Sequence, residues 1–442
     1  MAILLRLLRY ARNDKLNIFM KIKFPLVVVG SQWGDEGKGK VVDLLAEQAD
    51  EVVRFNGGNN AGHSVVLNGK KYKLSLLPAG ILQKKNLYLS QAVVINPRVL
   101  LEEIALFKKE KLPLKIHIDP RCNIVMPYHQ ELDAATEKWK GKKATGSLHL
   151  GIGYCYEDRN NRFGIRFEDL INPQLLKEKL EMFFPLKKLQ IEKVFGQKSN
   201  LNINQIYNEY VVYGKKLKPY LADVSTLIQE KISQKKVLFE GAHGTFLDGN
   251  FGTYPYTTAV NTISGAVFTA VGIAPQKIYS LGIVKAYTTR VGNGNFPTEL
   301  FDKIGEGIRE KGGEYGTVSK RPRRCGWLDL CLLRSASRWS GFDYLAITKL
   351  DVLSGLKKIK VCTHYILKGK KIKSVPALIN DFTKCKPVYK EFSGWSEDIS
   401  QIRDFKKLPQ TAQIYLKYIA QELQVPLKII SVSPERTANI FI

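Results

Sequence analysis

The segment that follows the first apolar run of the chain could bind a phosphate group. The run at residues 26–29 (LVVV) leads into residues 30–40, which read GSQWGDEGKGK. A strand that enters a helix through a glycine and lysine loop directs backbone N–H groups and the helix dipole at an anion. Asp35 and Glu36 would repel that anion unless one of them held Mg²⁺ or moved a proton. The loop is not a Walker A sequence, because Val follows Lys40 where that motif has Ser or Thr.

A second glycine-rich loop ends in a histidine. Residues 56–63 read NGGNNAGH and follow the next predicted strand. Glycines let the backbone approach a ligand closely, and Asn60 and His63 stand where their side chains could donate hydrogen bonds to it. A histidine that ends a glycine loop, rather than lying on an apolar helix face, indicates a functional role.

A third segment, TKLD at residues 348–351, is similar to the guanine-reading sequence of GTPases. The carboxylate of Asp351 could accept hydrogen bonds from both N1–H and N2–H₂ of guanine, while the stem of Lys349 covers the ring. Adenine offers no such pair of donors. Together with a phosphate loop, this segment predicts that the nucleotide is GTP.

A fourth segment, GTVSKRPRR at residues 316–324, carries three arginines around a proline. Arg321, Arg323 and Arg324 would form a rigid cationic loop suited to bidentate binding of a carboxylate or phosphate. A solvated basic loop or an RNA contact is the alternative interpretation.

Alternating strands and helices must position these segments. Apolar runs typical of buried strands recur at residues 26–29, 86–95, 115–118, 237–240, 278–284, 344–348 and 427–432. The pattern predicts one large α/β domain over residues 24–442, built on a mostly parallel central sheet with helices on both faces and peripheral insertions. Its nucleotide site would be P-loop-NTPase-like, at the carboxyl ends of the strands.

Composition excludes several classes of protein. Of the 442 residues, 68 are Lys or Arg and 41 are Asp or Glu, which gives a net charge of +27. The basic residues are dispersed and no RNA-binding signature accompanies them, so we expect no specific nucleic acid partner. Six scattered cysteines without a C-x-x-C pair argue against a disulfide or zinc scaffold, and no H-E-x-x-H helix or long apolar span occurs.

The first 23 residues differ from the rest because Leu and Arg interleave there with no acid before Asp14. We interpret residues 1–23 as a dispensable N-terminal extension, with an amphipathic transit segment as the alternative.

Seven segments together resemble the adenylosuccinate synthetase family. They are QWGDEGKGK (32–40), GGNNAGH (57–63), FEGAHGTFLD (239–248), GTYPY (252–256), RVGNGNFPTEL (290–300), RPRRCGWLD (321–329) and TKLDVL (348–353). The resemblance runs in family order from Phe24 to Ile442. It implies a cytoplasmic, homodimeric ligase of purine biosynthesis that makes adenylosuccinate from IMP, L-aspartate and GTP with one Mg²⁺ per subunit.

The resemblance also implies a mechanism. Asp35 would take the N1 proton of IMP, and the 6-oxygen would then attack the γ-phosphoryl group of GTP. His63 would stabilise the transferring group as a general acid, and the amino group of aspartate would displace the 6-phosphate. The Asp35 carboxylate and the Gly62 carbonyl would be the Mg²⁺ ligands.

Binding roles follow from the resemblance residue by residue. The GTP-binding residues would be Gly34, Gly37, Lys38, Gly39, Gly62, His63, Lys349, Asp351, Ser431, Ser433 and Pro434, with residues 292–298 closing over the nucleotide. The IMP-binding residues would be Asp35, Lys38, Asn60, Thr145, Ser147, Arg162, His243, Thr258 and Arg321, with Arg162 reaching the site of the other subunit. The aspartate-binding residues would be Thr317, Val318, Ser319, Arg321 and Arg323.

Four positions depart from the family pattern. Leu148 stands where the family has its usual IMP-phosphate threonine, so that Thr145 or Ser147 would have to compensate. His243 replaces a glutamine, Val318 a threonine of the aspartate loop, and Ser433 a common glycine. A regulatory GTPase or a basic RNA-binding protein remains the alternative, although neither would need Asp35 together with the arginine loop.

Overall fold

The computed structural model describes residues 22–67, 69–316 and 321–442. Its strands are β1 (Leu26–Gly30), β2 (Glu51–Arg54), β3 (His63–Leu67), β4 (Lys70–Leu74), β5 (Asn86–Leu89), β6 (Val94–Ile95), β7 (Lys115–Ile118), β8 (Asn123–Ile124), β9 (Val237–Gly244), β10 (Tyr279–Lys285), β11 (Thr288–Arg290), β12 (Arg324–Gly326), β13 (Leu328–Asp329), β14 (Tyr344–Thr348), β15 (Lys358–Leu367), β16 (Lys370–Ile372), β17 (Lys386–Ser393), β18 (Leu427–Ser431) and β19 (Asn439–Phe441).

The α-helices of the described residues are α1 (Lys38–Ala46), α2 (Pro97–Lys109), α3 (Pro127–Lys140), α4 (Ile152–Asn161), α5 (Phe167–Leu170), α6 (Pro173–Leu189), α7 (Ile203–Leu217), α8 (Val224–Lys231), α9 (Ala266–Val271), α10 (Lys303–Gly312), α11 (Leu330–Ser340), α12 (Ile379–Phe382) and α13 (Gln410–Leu423). In this part of the chain, none combines the length and the apolar character needed to cross a membrane.

A central sheet organises the fold. Its strand order is β19-β18-β14-β10-β1-β9-β2-β5-β7, and every neighbouring pair is parallel except β18 with β19. The predicted mostly parallel sheet is therefore confirmed. Since the chain leaves each parallel strand at the same edge, the loops after β1, β2, β9, β10 and β14 converge there.

Both faces of the sheet are covered, as predicted. Successive side chains of a strand point to opposite faces, and in β1 Leu26 and Val28 pack in one core cluster while Val27 and Val29 pack in another. Residues of α1, α2, α3, α6 and α7 complete the first cluster. Residues of α8, α9, α11 and α13 contribute to the second.

The apolar runs match the central strands except in one place. Residues 86–95 form two strands, β5 and β6, rather than one, because the backbone turns between them: the N–H of Val93 bonds to the carbonyl of Ser90 (2.9 Å). The predicted insertions include a separate sheet of β13, β15, β16 and β17. Most of the predicted N-terminal extension lies outside the described residues.

Candidate active site

The loop between β1 and α1 is built around the carboxylate of Glu36, which is fully buried. Its Oε1 accepts hydrogen bonds from the N–H groups of Gln32 (3.0 Å) and Gly34 (2.8 Å). Its Oε2 accepts one from Lys38 Nζ (2.7 Å). A Cβ at Gly30 would lie 2.3 Å from Oε2, so a larger residue there would displace the carboxylate. Glu36, one of the two acids expected to repel a phosphate, therefore points into the loop, where its carboxylate is paired.

Asp35 is the acid on the open side of this loop. Its backbone adopts the left-handed conformation (φ 60°), which Asp tolerates better than most residues. Its Oδ2 lies 2.8 Å from Arg323 Nε, and its side chain is 31% exposed. The fold thus joins the predicted phosphate loop to the predicted arginine loop, which lie almost 300 residues apart in sequence.

His63 lies at the start of β3, against the first turn of α1. A Cβ at Gly39 would lie only 2.9 Å from His63 Cβ, so the missing side chain allows this approach. His63 Nδ1 contacts Glu240 Oε1, and Glu240 Oε2 accepts a hydrogen bond from the N–H of Ala79 (2.8 Å). Among the described residues, His63 Nε2 has no hydrogen-bond partner. One ring nitrogen is thus held while the other is available.

Glu240 and Arg54 belong to the site but were not selected from the sequence. Both are buried, and Arg54 holds the second glycine loop by donating to the carbonyls of Gly58 (2.8 Å) and Asn56 (3.3 Å). Burial would raise the pKa of Glu240, but the charges of His63 and Arg54 outweigh it and lower that pKa. Their signal was a charged residue within a buried parallel strand, which must be paired to be tolerated.

The predicted base-reading segment lies at the same edge. Lys349 has a left-handed backbone (φ 57°), and its Nζ donates to the carbonyl of Gly312 (2.6 Å) and to Glu314 Oε1 (2.8 Å). Within the described part of the chain, Asp351 Oδ1 is buried without a hydrogen-bond partner. Burial raises the pKa of Asp351, and the charges of Lys349 and Lys40 oppose the shift. An unpaired acceptor suits a ligand that brings its own donors.

The turn that carries Ser431, Ser433 and Pro434 is tied to α1 by Lys40. Its ammonium donates to Ser431 Oγ (2.7 Å) and to the carbonyls of Ser433 (2.6 Å) and Ala438 (3.0 Å). This contact places the predicted base turn beside the phosphate loop. After Glu240 and Arg54, Lys40 is a third residue to which the sequence gave no specific role in the site.

The three arginines of the basic loop have separate roles. Arg323 contacts Asp35, whereas Arg324 pairs with Glu299 (2.7 Å) and donates to the carbonyl of Gly294 (2.7 Å), so it holds the segment 292–298. Arg321 lines a cavity of about 490 Å³ together with Gly146 and Ser147. The predicted aspartate-binding residues Thr317, Val318 and Ser319 lie outside the described residues.

The hydroxyl groups expected to replace the missing threonine bind carboxylates of α3. Thr145 Oγ1 donates to Glu137 Oε1 and Ser147 Oγ to Asp133 Oδ2, both at 2.7 Å. Burial would raise the pKa of Glu137, but the hydrogen bonds from Thr145 to Ser147 lower it to about 2. These carboxylates compete with any phosphate for the two hydroxyl donors.

Arg162 is apart from the other predicted residues. It follows α4 in a left-handed conformation (φ 66°) and lines a separate surface cavity of about 180 Å³ with Arg159, Arg166 and Lys179.

Two further predicted IMP contacts, Asn60 and Thr258, lie in loops near the central sheet. Asn60 belongs to the second glycine loop, where its Oδ1 accepts a hydrogen bond from the N–H of Gly58 (3.3 Å). Thr258 lies near β9, and its backbone N–H donates a hydrogen bond to the carbonyl of Leu247 (2.8 Å).

His243 sits where β9 bends, with a left-handed backbone (φ 64°). Its Nε2 is shielded from solvent and has no hydrogen-bond partner among the described residues, and a Cβ at Gly57 would lie 3.3 Å from it. Burial lowers the pKa of His243 from 6.5 to about 3, and the charges of Lys38 and Arg54 add to the effect. The ring is therefore neutral at physiological pH.

Comparisons with known proteins agree on one family. Residues 27–440 match the family model described as adenylosuccinate synthetase. The chain is 47% identical over 420 residues to an adenylosuccinate synthetase of Clostridium acetobutylicum, covering 94% of this chain and 98% of the relative. Its fold is similar to that of the fully ligated enzyme of Plasmodium falciparum, with a TM-score of 0.89, 38% identity and coverage of 94% and 99%.

A cyanophage S-2L succinoaminodeoxyadenylate synthetase shares the fold alone, at 18% identity with a TM-score of 0.59 and 94% coverage of both chains.

The neutral imidazole of His243, whose Nε2 is shielded from solvent, predicts an acid-dependent loss of stability. The pKa of His243 is about 3 in the folded chain and 6.5 ordinarily. The contribution of the neutral ring to the free energy of unfolding is therefore complete above pH 6.5 and is lost as the pH falls from 6.5 toward 3. At pH 5 the free energy of unfolding is reduced by at most about 2 kcal/mol. Urea unfolding at pH 8 and pH 5 should show a smaller acid loss for His243→Gln than for the wild type.

A variant at the exposed His149, His149→Gln, serves as the control and should keep the wild-type difference between the two pH values. Equal acid losses in the wild type and in His243→Gln would contradict a buried neutral ring.

Proposed function

Because the chain belongs to the adenylosuccinate synthetase family, it is a GTP-binding ligase of purine biosynthesis, and we propose that the residues described above join IMP to L-aspartate at the carboxyl edge of the central sheet. Residues 24–442 would be the catalytic domain, with residues 1–23 as a dispensable extension. Family membership removes a regulatory GTPase or an RNA-binding protein as the primary function.

The observation that carries the proposal is the arrangement of His63 between Glu240 and the first turn of α1. Glu240 contacts Nδ1, while Nε2 has no hydrogen-bond partner among the described residues, so we expect Nε2 to meet the γ-phosphoryl group of GTP that the phosphate loop would hold. A donor fixed at this point can stabilise the charge that develops during phosphoryl transfer and act as general acid. Glu240 would be a positioning residue that keeps the imidazole in one orientation.

Asp35 would accept the N1 proton of IMP. Its exposed carboxylate is held by Arg323 rather than buried, so it can reach a base in the site. Loss of that proton makes the 6-oxygen a nucleophile, which attacks the γ-phosphorus while GDP leaves. The amino group of L-aspartate then forms the C–N bond at C6 as the C6–O bond breaks and phosphate departs.

The donor chemistry at the phosphate loop fits Mg²⁺. The Asp35 carboxylate and the Gly62 carbonyl are hard oxygen ligands, and Mg²⁺ in phosphate sites takes few protein ligands and completes its shell with phosphate and water. When bound, the ion would neutralise charge on the nucleotide phosphates. We propose one Mg²⁺ per subunit held by these two residues.

The remaining substrate contacts are proposed as expected from the sequence. Lys38, Asn60, Thr258 and Arg321 would hold IMP, and Arg321 and Arg323 would bind the carboxylates of L-aspartate. Lys349, Asp351 and the turn 431–434 would frame guanine. Arg162 lines a surface cavity that shares no residue with the cavity lined by Arg321, which supports a homodimer in which Arg162 serves the other subunit. A cytoplasmic location stays a prediction.

Release of phosphate from GTP should require both IMP and L-aspartate. Asp35→Asn keeps the size and the tolerance of a left-handed backbone but removes the base, so kcat should fall by about 10²–10⁴. Asp343→Asn is the matched control, because Asp343 is also a partly exposed carboxylate paired with a cation, Lys277 (2.8 Å), but lies at the opposite edge of the sheet. Activity of Asp35→Asn near that of Asp343→Asn would exclude Asp35 as the base.

The base preference should change with Asp351→Asn. An amide places a donor against the amino group of guanine, whereas xanthine carries a carbonyl there and keeps N1–H. A site built on hydrogen bonds can reject the wrong partner by up to about 10⁴. GTP-driven synthesis should be lost and XTP-driven synthesis gained, with the KM values of IMP and L-aspartate largely unchanged. A variant that still prefers GTP would show that residues 348–351 do not read the base.

Mixing two inactive variants tests the role of Arg162. Subunits with Arg162→Leu combined with subunits carrying Asp35→Asn would form some heterodimers in which one site has both residues intact. Synthesis should therefore reappear in the mixture, although each variant alone is inactive. If a verified heterodimer stays inactive, Arg162 acts in its own subunit or outside any site.

A further inference from the structure

A buried carboxylate outside the assigned site residues connects three of its loops. Glu314 follows the end of α10 and is fully buried. Its Oε1 accepts hydrogen bonds from Lys285 Nζ (2.9 Å) and Lys349 Nζ (2.8 Å) as well as from the hydroxyl of Tyr287. Its Oε2 accepts one from Arg323 Nη1 (2.6 Å). A single side chain thus binds three cations.

The three cations come from different parts of the site edge. Lys285 ends β10, Lys349 directly follows β14, and Arg323 directly precedes β12. Arg323 continues the chain of contacts, since its Nε lies 2.8 Å from Asp35 Oδ2. The contacts therefore run from the proposed guanine loop through Glu314 to the proposed catalytic acid.

Charge balance makes Glu314 hard to replace. Burial alone would raise its pKa, but Lys285, Lys349 and Arg323 lower it well below its ordinary value, so the side chain is a carboxylate throughout the working pH range. Burial also lowers the pKa of Lys285 to about 8, although Glu314 opposes the shift. Without the negative charge, three cations would face one another in a space where Lys285 and Arg323 are almost fully shielded from water, which is strongly unfavourable.

We propose that Glu314 is a positioning residue that fixes Lys349 and Arg323 before the substrates bind, and that it thereby links the guanine nucleotide site to the L-aspartate site. Within the described part of the chain, Lys349 would keep only the carbonyl of Gly312 as an acceptor, and Arg323 only Asp35 as a side-chain anion. Both side chains would move if Glu314 lost its charge. The inference rests on the proposed roles of Lys349 and Arg323.

Glu314→Gln keeps the size of the side chain and removes its charge. Loss of charge-assisted hydrogen bonds to two substrate-binding side chains should weaken GDP binding and raise the KM of L-aspartate by about 10- to 100-fold each. The KM of IMP should change by less than about threefold, because the residues that donate to Glu314, namely Lys285, Tyr287, Lys349 and Arg323, are not proposed IMP contacts. GDP affinity is measured by calorimetry, the KM values by phosphate release, and folding by thermal unfolding.

Glu103→Gln is the matched control. Glu103 is a buried carboxylate whose hydrogen bonds come from the backbone N–H groups of Ser75, Leu76 and Leu77, outside the proposed catalytic and binding residues. This variant should lower thermal stability without separating the three KM values. Glu314→Asp keeps the charge with a shorter reach, so it should show a smaller change in the same two constants, and it replaces Glu314→Gln if that variant does not fold.

A double-variant cycle with Lys349→Met separates this inference from the proposed function. If Glu314 acts through Lys349, then Glu314→Gln with Lys349→Met should bind GDP no more weakly than Lys349→Met alone. Additive losses, unchanged KM values, or a parallel change in all three KM values and in stability would each overturn the positioning role. An unchanged GDP affinity in Lys349→Met would instead show that the guanine assignment is wrong.

Discussion

The site depends on the rule that a buried charge must be paired, and the carboxylate of Glu36 shows it most directly. This side chain fills the phosphate loop from inside, takes two backbone N–H groups and Lys38, and so fixes the loop before any ligand binds. The hydroxyl of Thr348 donates a hydrogen bond to the backbone carbonyl of Glu36 (2.5 Å). This bond ties the phosphate loop to the end of β14, where the base-reading segment begins. Preorganisation of this kind lowers the cost of binding an anion.

The same rule recurs around the site with other partners. Glu240 holds His63 and faces Arg54, Glu314 holds three cations, and Asp43 of α1 pairs with Arg436 beyond the guanine turn (2.6 Å). A chain with a net charge of +27 therefore uses buried carboxylates to position the cations at the carboxyl edge of its central sheet. The dispersed surface charge would add only a general attraction for anionic substrates.

Two of the four departures from the family pattern, at Leu148 and His243, concern the proposed IMP contacts. The other two, Val318 and Ser433, stand in the proposed aspartate loop and guanine turn rather than at the proposed reacting groups. Asp35, His63 and the described arginines are in place, whereas Thr145 and Ser147 bind carboxylates of α3 and His243 presents a neutral ring. A histidine in a left-handed conformation near Gly57 offers one ring nitrogen where glutamine would offer an amide.

The sequence by itself determined the parallel α/β fold and the glycine loops, and it predicted the individual reacting residues. Strand periodicity and loop composition are local properties of the sequence. Asp35, His63 and Asp351 stand in segments whose residue types indicate their chemistry.

Only the tertiary structure decided which charged side chains meet. Glu240 and Arg54 show only as charges within buried strands, Lys40 stands in the predicted phosphate loop without a role of its own, and Glu314 has no separate chemical signal. The partners of these residues lie up to about 400 residues away along the chain. It also divided the strand run at residues 86–95, because a backbone turn depends on contacts that composition does not encode. Pairing of buried charges is a property of the packed sheet edge, so it becomes visible only when the loops that converge there are placed together.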